Sequence, residues 1–266
     1  MTDVSHTRNA WRRLGYRLLP RDGFSYILHL RPAEWPIMAA HTLLGFVLAV
    51  GLGPALHGSR LGTALWCLAL WVCCLNGGTL AINSVFDDDQ GDIGYLAAPP
   101  KPPRHLFAFS LALMAIGQAL SFTLPVSFQL AYGVCFAMSI AYSVPPLRLK
   151  AVGGMDWLIN MWGFGTLTPY AGWAATGRPL DFVHGLVLLA FCPLFAALYP
   201  LTQLYQFDED RARGDRTLAI ILGMRKSLLV AMATTLLAFA IFAWAALVGA
   251  VRWWQCRRTT GRSGCP

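Results

Sequence analysis

Charge is what this chain has least of. Across 266 residues, Asp, Glu, Lys and Arg together make up 13%, against 56% hydrophobic residues. A soluble domain carries about 25% charged residues. At a mean hydropathy of +0.51, too little polar surface is present to cover a water-soluble globule, and a disordered or collagen-like chain is excluded as well. Cysteine occurs seven times but never as a CxxC pair, and five of the seven lie in apolar stretches. That leaves no zinc-site spacing and no disulfide framework. A signal peptide is also missing: residues 8–31 carry six arginines, with no apolar core ahead of a small-residue cleavage site. Acidic residues number 13 and basic ones 21, a net charge of +8. Basic loops on one side of a membrane account for this excess, so no nucleic-acid partner is expected.

What is present in quantity is long apolar sequence. A membrane-crossing helix needs about 20 mainly apolar residues. Seven stretches qualify: 34–54, 61–82, 106–124, 126–142, 157–175, 182–201 and 228–251. The expected fold is all-α, a polytopic transmembrane helix bundle embedded in the lipid bilayer. Residues 1–30 read as a basic N-terminal segment on which Leu14, Leu18 and Leu19 can share one face of an interfacial helix. Residues 31–251 form the transmembrane domain, and 252–266 a basic, atypical tail. The connections on one side hold fifteen Lys and Arg residues against two on the other, which places the first set in the cytoplasm. The tail, with Arg252, Arg257, Arg258 and Arg262, breaks that pattern.

Eight of the 13 acids sit in two short clusters, both on the side assigned to the cytoplasm. The first runs from Asn83 through Asp87, Asp88 and Asp89 to Asp92, at the end of the second span. The second holds Asp208, Glu209, Asp210 and Asp215, after the sixth. On a helix, residues four or seven apart share a face. Asn83 and Asp87 therefore point together, as do Asp88 and Asp92, and Asp208 with Asp215. Carboxylates crowded on one face repel unless a cation joins them, and hard oxygen ligands suit Mg²⁺ together with substrate phosphates. Between the clusters, the run from Tyr142 to Lys150 ends the fourth span with a Pro-Pro turn and carries Arg148 and Lys150. These contact lipid headgroups or meet a leaving diphosphate. Lys101 and Arg104 offer the same chemistry. Asp156 and Asn160, four apart near the start of the fifth span, position an acceptor or bond to neighbouring helices.

These motifs resemble those of the UbiA superfamily of intramembrane prenyltransferases. The first cluster matches NxxxDxxxD at Asn83 and Asp87, with its third acid one place late, at Asp92. The second matches at Asp208 and through Arg213-Gly214-Asp215-Arg216-Thr217-Leu218. The Tyr142–Lys150 run resembles the family's YSxPPLRxK stretch. The resemblance implies a bundle of nine helices around a cavity, and transfer of a prenyl group from a prenyl diphosphate to a lipophilic or aromatic acceptor. It implies Asp87, Asp208 and Lys150 as catalytic residues. Metal ligands would be Asp87, Asp88, Asp92, Asp208 and Asp215, holding Mg²⁺. Substrate contacts would come from Asn83, Arg104, Tyr142, Arg148, Lys150, Asp156 and Asn160. Tyr142, Trp157, Trp162, Phe164, Tyr170 and Tyr205 would line a dry cavity. A terpene cyclase on the same fold, ionising the same diphosphate, is the alternative. A cation-coupled transporter fits less well, because its acids belong at mid-membrane. With seven spans against nine, the chain reads as a C-terminally shortened member, in a bacterial inner membrane with both motifs facing the cytoplasm.

Overall fold

The computed structural model describes residues 12–19, 22–87, 96, 99–205 and 207–260. The described elements are helical, with single-residue bridges such as Val152 with Arg216 instead of strands. In chain order they are α1 (Gly23–His29), α2 (Trp35–Val50), α3 (Gly58–Phe86), α4 (Leu106–Ser121), α5 (Val126–Ser143), α6 (residues 155–174), α7 (Phe182–Tyr205), α8 (Phe207–Arg213) and α9 (Leu218–Thr260). Residues 12–18 add a short helix on which Leu14 and Leu18 are exposed.

Five stretches are long and apolar enough to cross a membrane: Gly23–Val50, Gly58–Phe86, Val126–Ser143, Phe182–Leu204 and Leu218–Val251. Of the other two expected spans, Leu106–Ser121 is apolar but shorter. Residues 155–174 are helical but fall outside that set. The last helix differs most from expectation. It starts at Leu218, breaks at Gly223 (φ 71°, ψ 168°), and continues to Thr260, through the boundary expected at residue 252. Its outer face leaves Leu229, Met232, Leu236 and Phe239 exposed. An apolar face of that extent has lipid as its natural surroundings.

Local chemistry explains where the helices begin and stop. Pro125 precedes α5, and Pro145-Pro146 ends it by removing two backbone donors and forcing Val144 into an extended conformation. Asp181 caps α7: its Oδ1 accepts the amides of Val183 at 3.0 Å and His184 at 3.1 Å. Slight burial works against ionisation of Asp181, but the bonds from His184 and Val183 outweigh it and hold the carboxyl below its usual range. Two helices are wound more loosely in their middle turns. Ala69–Asn76 within α3 and Met161–Leu167 within α6 are π-helical, a winding often found where a helix lines a functional site.

In lipid no hydrophobic driving force pulls helices together, so close backbone packing has to do it. At the crossing of α2 and α6, two glycines face each other's backbones. A Cβ on Gly45 would stand 1.7 Å from the Pro169 carbonyl oxygen, and one on Gly172 1.8 Å from that of Thr42. Beside this crossing lies the buried aromatic group of Trp71, Phe128 and Tyr132, with Trp71 6.0 Å from Phe128 and 6.2 Å from Tyr132 between ring centroids. The Tyr132 hydroxyl donates to the Met114 carbonyl at 3.1 Å, so this buried polar tip is satisfied. The α2–α6 crossing holds one wall of the cavity described below. Gly45→Leu and Gly172→Leu are each expected to abolish the monodisperse peak in detergent size-exclusion chromatography. Gly62→Leu, at a position with open space around it, should elute as wild type does. A normal profile for both crossing variants would remove the crossing from the fold's foundations.

Candidate active site

The turn between α5 and α6 is the hub of the site. After Pro146 the chain folds back, with the Arg148 amide donating to the Val144 carbonyl at 3.0 Å. Arg148 itself has φ +34°, a left-handed conformation that costs a non-glycine residue about 1 kcal/mol or more. A short 3₁₀ turn, Leu149–Ala151, follows. This path sends two cations to two different places. Lys150 Nζ pairs with Asp87 Oδ1. Arg148 pairs with Asp215 Oδ1 at 2.8 Å. One turn of chain therefore touches both acidic motifs.

In the first motif, Asn83 lies on the last turn of α3 and Asp87 directly follows it. The Asp87 amide donates to the Asn83 carbonyl at 3.0 Å, so the helical register extends to Asp87 and the two residues share a face. Asn83 Oδ1 accepts from the Ser143 hydroxyl at the end of α5. Asp88 and Asp92 lie outside the described residues. Arg104 is exposed just ahead of α4, and the cavity lining does not include it.

The second motif departs from its expected geometry. Asp208 is on α8 and exposed, while Asp215 lies beyond the end of that helix. Gly214, at φ +74°, turns the chain between them, so the seven-residue spacing does not put them on one helical face. Asp215 is held another way. Its amide donates to the Asp210 carbonyl at 3.0 Å, and the next amide, of Arg216, donates to the Ala151 carbonyl at 3.2 Å. The second motif is thus joined through its backbone to the same turn that carries Arg148 and Lys150. Among the described residues no three of His, Cys, Asp and Glu converge on one point. The oxygens at hand are nevertheless hard donors of the kind Mg²⁺ takes: the Asn83 amide and the Asp87 and Asp215 carboxylates, all anchored around this turn.

Behind the turn a cavity of about 190 Å³ opens between α2, α3, α5 and α6. Asn83, Tyr142 and Asn160 belong to its wall, as do Trp71 and Phe164. Both π-helical stretches contribute to the lining. The Tyr142 hydroxyl lies 2.6 Å from that of Tyr199, which fixes the ring at the wall. Of the six aromatic residues expected to line a cavity, Tyr142 and Phe164 do so. Trp157 instead donates to the Ala196 carbonyl at 2.8 Å. Trp162 is 40% exposed, and Tyr170 packs against the buried core. The side chain of Tyr205 lies outside the described residues. Trp71, Asn76, Thr79 and Ser139 line the cavity without having been singled out in the sequence. Helical spacing was the available signal: Asn76, Thr79 and Asn83 follow one another at three and four residues.

Of the two roles expected for Asp156, the contacts it makes are those to neighbouring helices. Its side chain is fully buried and does not line the cavity. Oδ1 accepts the Gly154 amide at 2.7 Å, while Oδ2 accepts the Leu218 amide at 3.1 Å and the Gln203 side-chain amide. Gln203 Oε1 in turn accepts the Ala219 amide at 3.1 Å. This Asp–Gln pair caps the start of α9, three residues after Asp215, and ties it to α6 and α7. It acts by positioning the second motif. Removing the carboxylate leaves buried donors without partners, at about 1–3 kcal/mol each. Asp156→Ala is therefore expected to lower the thermal unfolding midpoint in detergent by several degrees, with Asp156→Asn retaining most of the stability. An unchanged midpoint for Asp156→Ala would contradict the capping role.

Comparison with known proteins identifies the family and the fold. The model of the UbiA prenyltransferase family matches residues 38–256. A digeranylgeranylglyceryl phosphate synthase from Natronomonas pharaonis is 30% identical over 209 residues, covering 76% of this chain and 70% of that protein. A lycopene elongase/hydratase from Halobacterium salinarum is 28% identical over 231 residues, covering 83% of this chain and 79% of that one. Among solved structures, a UbiA homolog from Archaeoglobus fulgidus bound to DMAPP and Mg²⁺ superposes with a TM-score of 0.71 at 22% identity, over 84% of this chain and 78% of that one. At that identity the likeness establishes the shared fold. With long apolar helices, both acidic motifs in order and a family match over most of its length, the chain belongs to the UbiA prenyltransferase family and is a multi-pass integral membrane protein.

Proposed function

We propose that this protein transfers a prenyl group from a prenyl diphosphate to an acceptor inside the membrane, with the diphosphate bound at the turn that joins the two acidic motifs. The observation that carries the reading is the pair of contacts Lys150–Asp87 and Arg148–Asp215, made from one turn, with Asp87 one helical turn beyond Asn83 of the cavity wall. Each cation is partly buried, and so is each carboxylate. Removing either member alone strands a charge in a poorly solvated place. A diphosphate offers both cations a replacement partner. Lys150 and Arg148 move onto its phosphate oxygens, and Asp87 and Asp215, with Asp88, Asp92 and Asp208, are the residues that would hold Mg²⁺. When bound there, Mg²⁺ supplies the positive charge that neutralises the diphosphate as it departs.

The chain's own residues do the rest. Lys150 and Arg148 stabilise the charge that develops on the leaving diphosphate. The bond from carbon to the bridging oxygen breaks with its electron pair going to the diphosphate, and leaves an allylic cation. Tyr142, Trp71 and Phe164 present aromatic faces and apolar surface to that cation and keep water from it. The acceptor attacks the allylic carbon, and the proton it gives up is taken by an oxygen of the departing diphosphate. The excess of basic residues on the loops carrying both motifs supports a cytoplasmic mouth.

Labelled geranyl diphosphate and extracted membrane lipids test this directly. Turnover is expected with Mg²⁺, absent with EDTA, and restored by excess Mg²⁺. Asp87→Ala and Asp215→Ala should each lower kcat at least a hundredfold, and Lys150→Ala should raise the donor KM at least tenfold. Arg60→Ala, at the opposite end of α3, should leave both constants unchanged. Full turnover in EDTA, or equal donor KM for the Lys150 and Arg60 variants, would remove the diphosphate from this turn.

A further inference from the structure

The wall of the cavity carries a nucleophile of its own, the Tyr142 phenol. An allylic cation in a dry space reacts with whatever oxygen stands free beside it, and a tyrosine oxygen is competent to form such a bond. In this structure that oxygen is not free. It lies 2.6 Å from the Tyr199 oxygen of α7, a short O–H···O contact. Tyr199 is not part of the cavity lining, so the contact draws the Tyr142 oxygen towards α7 and away from the space where the cation forms. Asn160 also approaches the Tyr142 hydroxyl. It belongs to the wall itself, and its Nδ2 donates to the Asp156 carbonyl at 2.8 Å. Tyr199 is therefore the partner that holds the oxygen outside.

The turn of α7 that carries Tyr199 is fixed on both sides. Pro200 follows it inside the helix and has no amide proton, so the Ala196 carbonyl one turn back loses its helical donor. The Trp157 indole of α6 takes that place, donating to the carbonyl at 2.8 Å. One turn beyond Tyr199, on the same helical face, Gln203 donates to Asp156 of α6 and accepts the Ala219 amide of α9 at 3.1 Å. Tyr199 is thus a rigid post. A phenol in apolar surroundings has few alternative partners, so Tyr142 stays paired with it. Without the Tyr199 hydroxyl, the Tyr142 oxygen is released to turn into the cavity. An electron pair on that oxygen then bonds to the allylic carbon as the bond from carbon to the diphosphate breaks. The phenolic proton passes to the diphosphate, and the product is a prenyl ether of Tyr142 that blocks the cavity.

We propose that Tyr199 is a positioning residue that protects the reaction from its own wall: by holding the Tyr142 oxygen against α7, it reserves the allylic cation for the acceptor. This rests on the prenyl-transfer reading and adds how the site avoids alkylating itself. Tyr142 then meets the cation with its ring, which stabilises positive charge without forming a bond to it.

The test follows the full chain in detergent through many turnovers of labelled geranyl diphosphate, with Mg²⁺ and extracted membrane lipids, and then maps its peptides by mass spectrometry. The wild-type chain is expected to hold a constant rate and an unmodified Tyr142. Tyr199→Phe keeps the ring and removes one oxygen. It should start with an unchanged donor KM and then lose activity progressively, the fraction of rate lost matching the fraction of chains with a geranyl adduct on Tyr142. The double variant Tyr142→Phe, Tyr199→Phe should run more slowly but at a constant rate and without an adduct, because no oxygen is left to alkylate. A role for Tyr199 in packing alone would lower the rate and leave Tyr142 unmodified. Sustained turnover by Tyr199→Phe with Tyr142 unmodified overturns the proposal, as does loss of turnover without an adduct or an equal adduct in the wild-type chain. A raised donor KM in Tyr199→Phe overturns it too, by placing Tyr199 in the donor site. A wild-type chain that turns over no geranyl diphosphate fails the prenyl-transfer reading itself, and this inference with it.

Discussion

Everything at the mouth of this bundle depends on neutralising charge at the edge of a medium that solvates it poorly. A Coulomb interaction that counts for little in water grows severalfold where the effective dielectric falls. Two cations and two carboxylates close to apolar surface must therefore be matched in number and held in place. The chain does this with one turn. Lys150 reaches back to the end of α3 and Arg148 reaches forward to the start of α9. Because the pairs cross between elements far apart in sequence, they fix the distance between the two motifs. The left-handed Arg148 is the local cost of aiming two neighbouring side chains at different targets.

The same turn explains why the deeper structure is arranged as it is. Its backbone joins the second motif through Ala151 and Arg216. Asp156 and Gln203 then secure the first turn of α9. On the other side, Ser143 and Asn83 connect the end of α5 to α3. The cavity lies directly behind, between helices that approach closely at Gly45 and Gly172. Polar anchoring at the mouth and small-residue packing within the membrane are complementary devices. The first sets where charge is handled, and the second keeps an apolar space open beside it.

Much of this was legible in the sequence, for identifiable reasons. Scarce charge and long apolar runs imply a membrane bundle, since burial in lipid demands both. In a chain so poor in acids, two clusters following two spans had few structural explanations. Asn83 and Asp87 were correctly read as sharing a face, because the helix does run through them. Asp208 and Asp215 were misread because helical periodicity was carried across Gly214, where the chain turns. Asp156 was left with two readings for a different reason. Spacing describes one helix, whereas its partners, Gln203 and the Leu218 amide, come from segments 47 and 62 residues away. Asn76 shares helical spacing with Thr79 and Asn83, but spacing alone does not show that this face lines a cavity. The last apolar span ends at Val251 as expected and begins ten residues earlier, at Leu218, while the helical backbone continues past it to Thr260.

In the proposed reaction, Lys150 and Arg148 exchange carboxylate partners for a diphosphate when the donor binds. The most direct measurement is an experimental structure of the full chain with Mg²⁺ and geranyl S-thiolodiphosphate. The diphosphate is expected between Asp87 and Asp215, with both ion pairs opened, Lys150 and Arg148 on its oxygens, and the geranyl chain entering the cavity past Asn83. A diphosphate bound elsewhere, with Lys150–Asp87 and Arg148–Asp215 still closed, would contradict it.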